Sequence, residues 1–275
     1  MFKTFDINQI RSLFSQNSYV TPDNIPRYKM DRIFLNSRWF FYFVFAGTVF
    51  ESNHMAVKGI YTNEEWIKSS YRILVDIERC GGRFHITGLE NLIKSNEPAI
   101  IVSNHMSTLE TLIFPCIIGS HRNLTFVVKD SLVKGPVFGP IMRSRDPIVV
   151  SRTNPREDFK IVLSKGEELI RKGISLVIFP QSTRITTFDP EKFNSMGIKL
   201  AQKSGALVIP AAIKTDFWGE SKIIKGFGPI HRKKTIFMEF GEPMKIEGTG
   251  KAEHKYIIDF ISSRLIQWGS PVITR

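Results

Sequence analysis

Residues 99–110 read AIIVSNHMSTLE. Four apolar residues, three of them β-branched, run without interruption into small polar ones. An unbroken apolar run this short reads as a strand buried on both faces. The same pattern recurs downstream as LTFVV (124–128), PIVV (147–150), ISLVIF (174–179), ALVIPAAI (206–213) and TIFMEF (235–240). Helical segments fall between and after these runs. Residues 154–172 carry Asn154 as N-cap, Pro155 in the first turn and Gly173 as the stop. Residues 192–204 end at Gly205, and 252–268 close the chain. Glycines and prolines break residues 129–152 into turns. Strands alternating with helices predict an α/β fold, a mostly parallel sheet flanked by helices. Pro210 inside its strand predicts an edge position or a bulge.

The first third is different. Residues 39–50 read WFFYFVFAGTVF, with seven aromatics in twelve positions. A helix of that length rises about 18 Å, short of the roughly 30 Å hydrocarbon core of a bilayer. A simple span is therefore not expected. The apolar residues also occupy no single stripe, as an ordinary surface helix would require. Two readings remain: insertion into one leaflet, or burial in the protein core. Aromatic rings at headgroup level favour the first, as do Arg27, Lys29, Arg32 and Arg38 just upstream. An amphipathic helix follows over residues 64–80, ended by Gly81-Gly82. The expected division is a helical, membrane-associating region over 1–82 and an α/β domain over 83–275.

The chain has 275 residues, 42% hydrophobic, with 38 Lys and Arg against 26 Asp and Glu, a formal charge of +12. That excess calls for an anionic partner: nucleic acid, acidic lipid or an acidic carrier protein. Cys80 and Cys116 show no metal-ligand spacing and read as buried thiols of a reducing compartment. Residues 1–6 lack a signal-peptide layout. No Gly-x-Ser-x-Gly, P-loop, GxGxxG or His-Glu-x-x-His occurs, so neither a metal nor a cofactor is expected.

Chemistry concentrates where apolar runs end. Ligands of open α/β sheets bind at the carboxyl ends of strands. His105 is delivered there, and Glu110 five residues on could accept its second ring N–H. Five helical residues lie about 140° apart, so the pair meets only if His105 sits on the turn before a helix and Glu110 inside its first turns. A second strand ends in Phe179-Pro180-Gln181-Ser182-Thr183-Arg184, whose arginine, hydroxyls and backbone N–H groups suit a phosphate or carboxylate. A third delivers Arg152, and Lys129 begins the block that leads to it. Arg152 and Arg184 could converge on one anion.

These four elements, in this order, resemble the glycerolipid acyltransferase family, whose best-known members are the lysophosphatidic acid acyltransferases. The family carries N-H-x4-D, a K…P…G…R block, F-P-E-G-T-R and a V-I-P strand. Here they stand as Asn104-His105…Glu110, Lys129…Pro136…Gly139…Arg152, Phe179 to Arg184 and Val208-Ile209-Pro210. The likeness covers roughly residues 83–245. It implies acyl transfer from a thioester, acyl-CoA or acyl-carrier protein, to a lysophospholipid hydroxyl at the cytoplasmic face of an anionic membrane, with the enzyme peripheral or monotopic. His105 and Glu110 would be catalytic. Lys129, Arg152, Ser182, Thr183 and Arg184 would bind substrate. Glu110 replaces the usual Asp, and Gln181-Ser182 replaces Glu-Gly. The second departure opens the acceptor's identity: lysophosphatidic acid is the default, and an amino-acid lipid or a substituted head group is the alternative. Two further readings are an inactive lipid-binding relative and a nucleic-acid-binding protein, the latter on the basic stretch His231-Arg232-Lys233-Lys234. Aromatics clustered apart from the basic residues count against nucleic acid.

Overall fold

The computed structural model describes residues 5–181, 183–221 and 226–274. In chain order they form α1 (Ile7–Phe14), β1 (Ser18–Val20), α2 (Lys29–Ile33), α3 (Arg38–Val57), α4 (Asn63–Arg79), β2 (Phe84–Thr87) and β3 (Ala99–Ser103). Then come α5 (Leu109–Ile117), β4 (Leu124–Lys129), α6 (Asp130–Lys134), α7 (Phe138–Arg143), β5 (Ile148–Val150) and α8 (Pro155–Arg171). The last elements are β6 (Ser175–Ile178), α9 (Met196–Ser204), β7 (Leu207–Lys214), β8 (Ile236–Phe240) and α10 (Lys251–Gln267). The strands make one mixed sheet in the order β1-β2-β8-β7-β3-β6-β4-β5. From β7 to β5 every pairing is parallel, so the carboxyl ends of five strands line one edge. β8 runs antiparallel to β7 and parallel to β2, and β1 is antiparallel to β2.

Both faces of the sheet are covered, as its continuous apolar strands require. α1, α3, α4 and α5 bury Phe14, Phe45, Leu74 and Phe114 against Ile101, Val177 and Ile209 on one face. α8, α9 and α10 bury Val162, Leu200 and Ile261 against Ile100, Leu176 and Val208 on the other. Asn154 caps α8 by accepting from Glu157 N, and Gly205 ends α9 at φ +73°. Both match the sequence reading.

Three expectations are revised. β7 is not an edge strand but lies between β3 and β8. Its proline is accommodated by the bulge: Ala211 faces Phe240 and Val208 faces Met244, so two residues of β7 oppose three of its neighbour. α9 begins at Met196, four residues later than predicted, because Asn194 turns back to bond Pro180 O through its amide and Met196 N through its Oδ1. α1, α2, β1 and β2, none longer than eight residues, were not expected from the sequence.

The aromatic run lies within α3, a helix of 20 residues, and its side chains divide between core and surface. Phe41, Tyr42, Phe45 and Val49 are buried, while Trp39, Phe43 and Phe50 are 61%, 77% and 61% exposed. Phe41 and Phe45 stand edge-on to the buried Trp218 ring, at 5.0 and 5.1 Å. No helix among the described residues is long and apolar enough to cross a membrane. Of the upstream basic residues, Arg27 is bonded to the fully buried Asp31, which also accepts from Arg232 at 2.8 Å. The stretch 231–234 is thus part of the protein's own packing, with Lys234 on Asp216 as well. Cys80 and Cys116 are buried free thiols, each pushed up to about 12 by burial.

The two faces of α3 differ in what they contribute to stability. Phe45→Ala should cost about 3–5 kcal/mol, as a large buried ring replaced by a cavity does. Phe43→Ser should stay within about 0.5 kcal/mol. Urea unfolding of the two variants measures both; similar losses would contradict this packing.

Candidate active site

β3 ends at Ser103, and its successor Asn104 anchors the loop that follows. Its side chain accepts from Ile213 N at 2.9 Å and donates to Ile213 O at 2.8 Å, an added rung between β3 and β7. His105 then lies on the turn ahead of α5, with Glu110 as the second residue of that helix. The imidazole Nδ1 is 2.8 Å from Glu110 Oε1. Its ring stacks on Phe179 with centroids 4.2 Å apart. A carboxylate only accepts, so Nδ1 carries the proton and Nε2 keeps its lone pair.

Glu110 has no solvent exposure. Burial by itself would raise its pKa; the hydrogen bond and charge of His105, then donors from Thr215 and Ser107, outweigh it and hold the carboxyl below its ordinary range. The donors are Met106 N (2.7 Å) and Ser107 N (2.8 Å) on Oε1, with Ser107 Oγ (2.9 Å) and Thr215 Oγ1 (2.7 Å) on Oε2. The methylene by which Glu exceeds Asp is absorbed by this cradle.

The turn after β6 is stitched to the same loop. Gln181 Oε1 accepts His105 N–H at 2.9 Å, and Ile185 N donates to His105 O at 3.0 Å. Through that oxygen Gln181 buttresses the histidine loop, and the carbonyl does there what either oxygen of a carboxylate could do. Ser182 lies outside the described residues. Thr183 is exposed, its N–H donating to Gln181 O at 2.7 Å. Arg184 pairs with Glu220 Oε1 at 3.0 Å.

Arg152 follows β5 with φ +61°, a conformation unusual for a side-chain-bearing residue. Asp158 in the first turn of α8 holds it there, accepting from Arg152 N at 2.7 Å and Ser151 N at 2.8 Å. Partial burial, then the Arg184 charge, lower the Arg152 guanidinium pKa, with Asp158 opposing; the two arginines thus feel one another's field. Lys129, exposed at the end of β4, sits in register with Val150. Along the edge, from β3 through β6 and β4 to β5, the strands deliver His105, Arg184, Lys129 and Arg152. At about 4.8 Å per strand they span roughly 15 Å.

A family model described as Acyltransferase matches residues 83–214, the segment that carries this edge. Over that segment, just under half of its length, the chain is similar to this family. The 1-acyl-sn-glycerol-3-phosphate acyltransferase of Pseudomonas aeruginosa is 33% identical over 171 residues, 62% of this chain and 62% of that protein. A chloroplastic 1-acyl-sn-glycerol-3-phosphate acyltransferase of Arabidopsis thaliana is 30% identical over 131 residues, 48% of this chain and 36% of that protein. The matches thus span less than two thirds of these relatives' lengths. The crystal structure of the 1-acyl-sn-glycerophosphate acyltransferase from Thermotoga maritima has the same fold, with a TM-score of 0.64 at 19% identity over 87% of this chain and 96% of that one.

Thr215, Asp158 and Glu220 were not singled out from the sequence. Thr215 directly follows β7 and could have been found as another residue at a strand's carboxyl end. Asp158 and Glu220 act from elements remote in sequence, and no local pattern marks them.

Thr215→Val keeps the shape and removes one donor from the buried carboxylate. It should cost about 1.5–3 kcal/mol at neutral pH, the range for a hydrogen bond to a charged group. A depressed carboxyl pKa stabilises above the unfolded-state value, and that contribution is lost as pH falls through the folded-state value. The variant's higher folded-state pKa narrows this window. Its acid unfolding, followed by circular dichroism, should set in at a higher pH than the parent's. An unchanged profile would deny the cradle its electrostatic role.

Proposed function

We propose that this chain is an O-acyltransferase that moves a fatty acyl group from an acyl thioester to the hydroxyl of a lysophospholipid. The observation that carries the reading is the His105–Glu110 pair at the edge where Arg184 and Arg152 also stand. His105 Nε2 removes the acceptor hydroxyl's proton as that oxygen attacks the thioester carbonyl. The C–O bond forms, the C–S bond breaks, and the imidazolium returns its proton to the departing thiolate. Glu110 orients His105 and stabilises its charged form. Arg184 and Arg152 hold the acceptor's anion, with Lys129, Thr183 and Ser182 assisting. Acyl-CoA and acyl-carrier protein are both anionic donors that suit the basic surface, and the acceptor named for the relatives is the 1-acyl-glycerol phosphate.

The same reading places residues 1–82 at the cytoplasmic face of an anionic membrane and gives the chemistry to 83–275. Support comes from a contiguous stretch of exposed apolar side chains: Ile33 at 67%, Phe34 at 53% and Leu35 at 89%, followed on α3 by Trp39 and Phe43. Leu35 and Asn36 take left-handed backbone at φ +52° and +59°, so the loop between α2 and α3 presents its leucine outward. Lys29, Arg32 and Arg38 are exposed beside it. Apolar insertion flanked by basic residues is how a protein lies on an anionic leaflet without crossing it.

His105→Ala should lower turnover 10²- to 10⁴-fold, the typical loss of a general base, with its circular dichroism unchanged. Near-normal turnover would refute the mechanism. Leu35→Ser combined with Phe43→Ser should abolish flotation with anionic vesicles while unfolding as the parent does; undiminished flotation would refute the membrane-facing assignment.

A further inference from the structure

Arg184, the arginine nearest the histidine loop, does not present its charge alone. Its guanidinium is bonded to Glu220 at 3.0 Å, 36 residues away in sequence. The segment that carries Glu220 is fixed on both sides. Trp218 is buried under α3 and donates through Nε1 to Gly226 O at 2.7 Å, while Tyr42 Oη donates to Gly228 O at 2.7 Å. Gly219 N donates to Pro229 O at 2.9 Å, and a Cβ on Gly228 would lie 2.0 Å from Gly219 O. Glu220 is thus the first residue beyond a closed neck, held over the histidine loop.

Gly226, at φ +84°, comes close to the histidine loop and to Arg184 on the turn after β6. A Cβ on it would lie 3.2 Å from Thr108 Oγ1 and 3.8 Å from Arg184. Thr108 Oγ1 is buried and has no hydrogen-bond partner among the described residues. A buried hydroxyl left without a partner is uncommon, and one beside Arg184 and three residues from His105 is placed to meet a ligand.

The charge pattern bears on which ligand. A phosphate monoester carries about −1.5 to −2 at neutral pH and is best met by cations alone. Glu220 works against that. It cancels one of the two arginine charges, and it occupies an N–H of Arg184 and repels a dianion brought to the remaining donors. A phosphodiester carries one negative charge, and in a zwitterionic head group a cationic substituent follows it. For such an acceptor Arg184 takes the anion, and Glu220, released from the arginine, takes the ammonium group. The pair then exchanges partners without leaving a charge uncompensated.

We propose that Glu220 is a specificity-determining residue of the acceptor site, selecting a zwitterionic lysophospholipid, a phosphodiester bearing an ammonium group, over a bare phosphate monoester. The inference rests on the acyl-transfer reading above. It is tested by measuring kcat/KM of the full chain and of Glu220→Gln with two acceptors, lysophosphatidic acid and lysophosphatidylethanolamine, in the same mixed micelles with one acyl-CoA. The parent should favour lysophosphatidylethanolamine, and Glu220→Gln should move the ratio toward lysophosphatidic acid by roughly 10- to 100-fold, the effect of losing a charge-assisted hydrogen bond while relieving repulsion. The shift should lie mainly in KM, with kcat on lysophosphatidic acid preserved. A Glu220→Asp variant should retain part of the parent's preference. Transfer with a ratio that Glu220→Gln leaves unchanged overturns the inference and leaves acyl transfer standing. Absence of transfer to either acceptor overturns both.

Discussion

A carboxylate with no access to water needs donors on both its oxygens, and the Glu110 cluster draws on three parts of the chain, two of which supply the donors. His105, Met106 and Ser107 come from the loop after β3, Thr215 from the end of β7, and Glu110 itself from the first turn of α5. The ion therefore ties the end of a central strand to the helix that leaves it and to the neighbouring strand. Asn104 reinforces the same junction through Ile213, and Gln181 ties in the turn after β6. The orientation of the imidazole follows from this junction, since its Nδ1 partner and its stacking partner Phe179 are both fixed by it.

The second organising contact is aromatic. Trp218 sits between α3 and the segment that carries Glu220, edge-on to Phe41 and Phe45. The helix whose inner face holds the Arg184–Glu220 neighbourhood is thus the one whose outer face exposes Trp39, Phe43 and Phe50. A rigid element shared between an apolar outer surface and a polar inner site fixes the distance between them.

The departures from the family pattern acquire physical content from these contacts. Glu for Asp at position 110 lengthens the side chain, and the cradle of backbone N–H groups takes up the difference. Gln for Glu at position 181 keeps the oxygen that accepts His105 N–H and exchanges the other for an amide with no partner. The substitution removes a negative charge beside His105 without loosening its loop. Glu220, outside every recognised motif, adds a negative charge beside Arg184 at the same edge.

The sequence by itself determined a good deal. Apolar runs ending in polar residues made the parallel strands legible, because a strand buried on both faces has no polar alternation to hide it. Caps and stops placed α8 and the end of α9. The order of four motifs brought His105, Glu110, Arg152 and Arg184 to one edge, since parallel strands align their carboxyl ends. The tertiary structure decided the rest. Pro210 lies mid-sheet because a bulge in the neighbouring strand accepts it, and register between distant strands is not written locally. The aromatic run divides into a buried and an exposed face because Trp218, some 170 residues away in sequence, packs against half of it. Asp158, Thr215 and Glu220 act on residues to which only the packed chain brings them, and short-range patterns report only neighbours along the chain.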